Sequence, residues 1–224
     1  MSNQEWHVMN TSKIVRQRGR PPAFDHDEAL NKAMHVFWSH GYEGSSMAAL
    51  TEAMGINKPS LYGAFGSKEE LFRKVVQQYL AGPVAYIGAA LSEPTAYRTV
   101  EKLLTTSAQF LTRDQNPRGC MVIQGALTCG EGAELIQQEL RARRSAYEDG
   151  LRLRFERARA AGDLPPDESP AELAKYVATI HQGMSVQATS GASKSELLEV
   201  VARVLRHWPV TGLPTHGSSK TPGA

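Results

Sequence analysis

Long apolar runs are missing from this chain of 224 residues: nowhere do the roughly 18 consecutive apolar residues of a membrane-spanning helix stand together. The start, MSNQEWHVMNTSKIVRQRGR, has no apolar stretch behind a basic tip, so no secretory signal is expected and the expected location is the cytoplasm. Cysteine is scarce. Cys120 and Cys129 are the only 2, which argues against a disulfide framework, and without a CxxC motif or a neighbouring His pair a zinc site is unsupported. Charge of one sign is lacking as well: a formal net charge of +2 is too small for a protein that coats nucleic acid by charge alone. No nucleophile, base and orienting acid fall into a recognisable order, so catalysis is not expected and no cofactor is implied. Sustained apolar and polar alternation, the mark of a strand, is also absent.

Helix signals are present and come with punctuation, and they predict an all-α fold. A basic arm over residues 1–24 carries Lys13, Arg16, Arg18 and Arg20 against the single acid Glu5. Asp25 with Glu28 opens a first helix, whose inward face is Leu30, Ala33, Met34, Phe37 and Trp38 and whose end is Gly41. A second helix follows Ser45 or Ser46 and stops at Gly55. A third has Asn57 as its cap and Pro59 in its first turn, and it ends by Gly66. The Ser67-Lys68-Glu69-Glu70 capping box then opens a fourth helix that runs toward Pro83. Longer helices are expected at 95–113, 117–129, 132–161, 170–190 and 194–208, with Gly162-Asp163-Leu164-Pro165-Pro166 as a break and 211–224, poor in apolar residues, as a disordered tail.

The short second and third helices are too small to serve core volume alone. Two short helices joined by a tight glycine turn and braced by longer ones present the second helix to a DNA major groove. In that arrangement Met47, Leu50, Met54, Ile56, Leu61 and Phe65 set the interhelical angle, while Lys58, Ser60, Tyr62 and Gly63 face outward. Lys58 can meet a phosphate or a guanine edge, Ser60 can bond either kind of group, and Tyr62 can bond a phosphate or touch a thymine methyl. Pro59 stiffens the first turn. Ser46 and Lys68, at neighbouring helix starts, complete the expected set of DNA contacts. In the arm, Arg18-Gly19-Arg20-Pro21 has the form of an AT-hook that enters a narrow minor groove; the same residues also suit a solvated tail that touches phosphates.

Residues 25–72 resemble the DNA-binding domain of TetR-family transcriptional regulators. The resemblance rests on Phe37-Trp38, Gly-Tyr-Glu-Gly-Ser-Ser, Gly-Ile-Asn-Lys-Pro-Ser-Leu-Tyr and Phe-Gly-Ser-Lys-Glu-Glu-Leu-Phe occurring in order. It implies a three-helix N-terminal helix-turn-helix domain, a larger regulatory and dimerisation domain over 73–210, a homodimer on a palindromic double-stranded operator, and repression relieved by a small-molecule inducer. Members of the family pair their last two helices across the dimer. Here those helices carry the stripes Leu197, Val201, Val204, Leu205, Trp208 and Leu173, Tyr176, Val177, Ile180, Met184, with small Ala174, Ala178 and Gly183 beside them. Each stripe also suits the protein's own core.

An inducer pocket among the middle helices would be lined by Phe110, Met121, Gln124, Leu127, Tyr147, His181 and Met184. Cys120, near an expected helix start and beside Arg118, offers a second regulatory chemistry, because both features lower a thiol pKa and favour the reactive thiolate. The alternative for Cys120 is a small buried hydrophobe.

Overall fold

The computed structural model describes residues 24–127 and 133–210, the side chains at 126 and 127 excepted, and every regular element among them is a helix. Helix α1 spans His26–Gly44, α2 Met47–Met54, α3 Lys58–Phe65 and α4 Lys68–Ala81; α5 is Tyr86–Leu91, α6 Ala96–Leu111, α7 Met121–Leu127, α8 Glu134–Ala160, α9 Pro170–Thr189 and α10 Lys194–Arg206.

The caps explain most of the boundaries. Asp25 accepts the N–H groups of Asp27 at 2.8 Å and Glu28 at 3.0 Å, satisfying two of the orphan donors at the start of α1. Gly41 lies at φ 70° within α1, so the regular helix ends there as the glycine signalled, and a separate turn carries the chain to Gly44. Of the two serines before α2, Ser46 is the cap; Ser45 is fully buried and donates to the Gly41 carbonyl at 2.6 Å. Both Ser67 with Glu70 and Ser193 with Glu196 form reciprocal capping boxes.

Two departures from the expected helices occur. The six-residue α5 has no side-chain cap and begins behind Ala85, which left no start signal to read. The helix expected from Pro117 starts only at Met121, because Gly119 at φ 82° breaks the turn and the segment before it bonds outward to other helices.

Around α1 to α4 the buried set includes Phe37, Trp38, Leu50, Leu61, Phe65, Leu71, Phe72 and Tyr79, and it continues without interruption into the core of α6 to α10. Fully burying an aromatic or leucine side chain stabilises by roughly 2 kcal/mol. α4 therefore belongs to both parts: Leu71 and Phe72 brace the short helices, and Tyr79 at its far end is buried among Trp38 and Phe110.

Candidate nucleic-acid interface and regulatory cavity

The alternation of faces on α3 is set by the 3.6-residue period. Leu61 and Phe65, one turn apart, are buried against α1, α2 and α4, so Lys58 and Tyr62, also one turn apart, point the other way. Tyr62 is 51% exposed, and as a large aromatic it has no packing reason to stand in water. Lys58, Pro59 and Gly63 are exposed beside it, Ser60 is half-buried, and a Cβ built on Gly63 meets nothing within 4 Å. Asn57 accepts the Ser60 N–H at 2.9 Å, and Ser46 accepts the Ala49 N–H at 3.0 Å. The two residues before the helices thus fix the axes of α2 and α3.

Lys68 has a partner that the sequence did not show. Its Nζ lies 4.6 Å above the Tyr42 ring. Partial burial pushes its pKa down, while the nearby carboxylates of Glu43 and Glu69 pull it up. Glu69 is held below its ordinary range by hydrogen bonds from Ser67, its own backbone and Tyr42. Arg18 and Arg20 lie outside the described residues.

Behind this unit, the segment 118–121 ties four helices together. The Gly119 N–H donates to the Leu111 carbonyl of α6 at 3.1 Å, and the Gly119 carbonyl accepts the Trp38 indole N–H of α1, also at 3.1 Å. The Cys120 N–H donates to Ser185 Oγ of α9 at 2.8 Å, and the Met121 N–H to Tyr79 Oη of α4 at 3.4 Å. The site requires glycine at 119: besides the positive φ, an added Cβ would stand 2.7 Å from Thr189 Cγ2 and 3.0 Å from the Ser185 carbonyl.

The same segment forms a wall of a small cavity of about 70 Å³. Tyr79 and Leu80 line it from α4, Val84 and Ile87 from the following turn and α5, Cys120, Val122 and Ile123 from the segment and α7, Arg143, Arg144 and Tyr147 from α8, and His181 and Gln182 from α9. Of the expected pocket residues, Tyr147 and His181 are brought together here. Phe110, Met121 and Met184 are buried and do not line this cavity, with Phe110 stacked on Trp38 at 5.6 Å. Gln124 donates to the Arg118 carbonyl at 2.8 Å and braces the loop rather than lining the cavity. The Leu127 side chain and Cys129 lie outside the described residues. Leu80, Val84, Ile87, Val122 and Ile123 escaped the sequence reading because aliphatic residues at helical spacing look the same in a core and in a pocket wall.

Behind the cavity wall, Tyr147 and His181 begin a buried polar chain. Tyr147 Oη is 2.9 Å from His181 Nδ1, His181 Nε2 is 3.5 Å from Tyr86 Oη, and Tyr86 Oη is 3.0 Å from Ser107 Oγ. Burial pushes the His181 pKa down to about 4, so the ring is neutral at neutral pH. Burial also raises the Tyr147 and Tyr86 hydroxyls. Of the two readings open for Cys120, the surroundings suit the small buried hydrophobe: its thiol pKa is raised, because burial outweighs the opposing hydrogen bonds from Tyr79 and the first amides of α7, and Arg118 is turned away onto the Ala192 carbonyl at 3.2 Å.

The apolar stripes of the last two helices face mostly inward. Leu197, Val201, Val204 and Trp208 on or just after α10, and Leu173, Val177 and Met184 on α9, are buried in the chain's own core, as are Ala174 and Ala178; Leu205 and Ile180 are half-buried. The large apolar residues that α9 and α10 leave exposed are Tyr176 and Val186 on one, with Gly183 between them, and Val200 on the other. Among the described residues no group of three or more His, Cys, Asp or Glu could hold a metal, and no helix is long and apolar enough to cross a membrane.

Residues 29–75 match the model of the bacterial regulatory proteins of the tetR family. The chain is 36% identical over 202 residues to the HTH-type transcriptional repressor ComR of Escherichia coli strain K12, covering 89% of this chain and 96% of that protein. It is 29% identical over 198 residues to the repressor BdcR of the same strain, covering 87% and 94%. Among solved structures, a cysteine-substituted variant of the TetR family regulator CifR, complexed with a 26-base-pair operator duplex, superposes with a TM-score of 0.81 at 46% identity, covering 85% of this chain and all of that one.

Proposed function

Because the chain belongs to the TetR family of bacterial regulatory proteins, we propose that it is a cytoplasmic repressor that binds a palindromic operator as a homodimer and releases it when a small molecule enters the cavity beside Cys120. Its relatives ComR and BdcR are named as repressors, and CifR was solved on operator DNA. Residues 25–72 read the duplex, and 73–210 regulate and dimerise. Lys58, Pro59, Ser60 and Tyr62 meet the major groove, Ser46 and Lys68 meet the backbone, and Arg18 and Arg20 extend the contact from the arm. The second copy packs on the outer face of α9 and α10, where Tyr176, Val186 and Val200 are left exposed and the bare backbone at Gly183 permits close approach.

The observation that carries this reading is the four-way tie at 118–121. Its hydrogen bonds reach Trp38 on α1 and Tyr79 on α4, and its next residues line the cavity. A ligand that shifts Cys120, Val122 or Ile123 therefore moves the helices that support α2 and α3, which changes the spacing of the two recognition helices in the dimer. The raised Cys120 pKa favours ligand occupancy over thiolate oxidation as the signal.

In vitro selection of short duplexes by the purified protein, with the winners retested across a salt series, tests the proposal. Enrichment of a palindrome with two-fold half-sites is the expected result. Binding without sequence preference that falls steeply with salt would reduce the protein to phosphate contacts and overturn it.

A further inference from the structure

The buried chain behind the cavity has a direction. Ser107 Oγ donates to the Leu103 carbonyl at 2.7 Å, which commits its only proton. Tyr86 must then donate to Ser107, and its oxygen can only accept from His181. That places the single proton of neutral His181 on Nε2 and makes Nδ1 an acceptor, which Tyr147 fills with its own O–H. The opposite tautomer would set the Nε2 lone pair against a Tyr86 oxygen whose proton is already used. All four protons run one way, and the chain begins at Tyr147, a residue of the cavity wall, whose oxygen still has lone pairs able to accept.

We propose that this cavity takes a small, uncharged, largely apolar molecule bearing one hydrogen-bond donor, an alcohol or a phenol, whose O–H is received by Tyr147 Oη. This rests on the cavity being the regulatory site. The walls contributed by Leu80, Val84, Ile87, Val122 and Ile123 suit a hydrocarbon body. A carboxylate would find as cations only Arg143, which is exposed, and Arg144, which is half-buried, because His181 stays neutral. A pure acceptor such as an ether would meet Tyr147 with its proton already engaged and could bond only by reversing the whole chain.

Phenol and toluene have nearly one shape and differ by the donor, so they are the probes. Calorimetric titration of the full chain should find phenol bound at least as tightly as toluene. Tyr147→Phe should weaken phenol about tenfold, the worth of one such hydrogen bond, and leave toluene unchanged. Toluene binding tenfold tighter than phenol, an equal effect of Tyr147→Phe on both, or no saturable binding of either overturns the proposal. Long-range proton–nitrogen spectra of the unmodified protein add an independent reading: His181 protonated on Nε2 supports it, and protonation on Nδ1 overturns it. Phenol that binds through Tyr147 yet leaves operator affinity unchanged would keep this ligand chemistry and remove the cavity's regulatory role, so the two claims fail separately.

Discussion

Trp38 donates its indole N–H to the Gly119 carbonyl over 3.1 Å in a buried position, 81 residues away in sequence. This bond joins the last turn of the helix behind the DNA-reading unit to the loop that walls the cavity. The ring is also edge-on to Tyr79 at 5.0 Å and stacked on Phe110 at 5.6 Å, so its position is fixed on three sides.

Trp38→Phe keeps an aromatic ring in the site and leaves the buried Gly119 carbonyl without its donor. The expected cost is about 1–3 kcal/mol in chemical denaturation. Retention of full stability would show that the bond does not hold the loop.

At the DNA face, Lys58→Ala and Tyr62→Ala should each weaken binding to a selected operator by roughly 1–3 kcal/mol while the melting temperature and oligomeric state stay nearly constant, since both side chains are exposed. Fluorescence anisotropy across the salt series separates their roles: loss of Lys58 lowers the salt slope if it meets a phosphate. Unfolding of Tyr62→Ala would contradict its placement on the outer face.

Gly63 sits inside α3 at a position where a methyl group meets nothing in the free protein. Gly63→Ala should therefore stabilise the chain by about 0.5–1 kcal/mol, because glycine is costly within a helix. If the duplex approaches α3 closely there, the same methyl weakens operator binding. A gain in stability with unchanged affinity would move the duplex away from Gly63.

The pH dependence follows from His181. Its folded pKa, about 4, lies below the unfolded value of about 6.5, so the unfolded chain takes up a proton that the folded chain refuses. Its contribution is present above about pH 6.5 and is lost as pH falls toward 4, by on the order of 3 kcal/mol in all. Urea titrations at pH 7.5 and 5 should show this loss, and His181→Gln should flatten it. An unchanged slope in the variant would place the acid sensitivity elsewhere.

How much of this was legible in the sequence depended on the range of the interactions. Asp25, Asn57, Ser67 and Ser193 act within three residues of themselves, so their caps and the helices behind them could be read directly. The outward face of α3 followed from the burial of Leu61 and Phe65 four residues apart. At 116–121 the local signal misled: Asn116-Pro117 looks like a helix start, yet the amides that follow bond to Leu111, Ser185 and Tyr79, and the helix waits until Met121. The stripe Leu197, Val201, Val204 told that one face of α10 is covered but not by what, since periodicity does not name the partner. The cavity was the least legible feature. Tyr147 and His181 meet across 34 residues, and their neighbours are ordinary aliphatic residues of other helices.

If the cavity wall and the DNA-reading helices form one coupled unit, the coupling is reciprocal: whatever the wall does to operator affinity, the operator does to the wall. Amide hydrogen exchange of the full chain, measured with and without a selected operator duplex, tests this without knowledge of the inducer. Coupling requires altered protection at residues 119–123 on DNA binding, together with protection in α3. Protection confined to α3 and its immediate neighbours, with exchange at 119–123 unchanged, would contradict it.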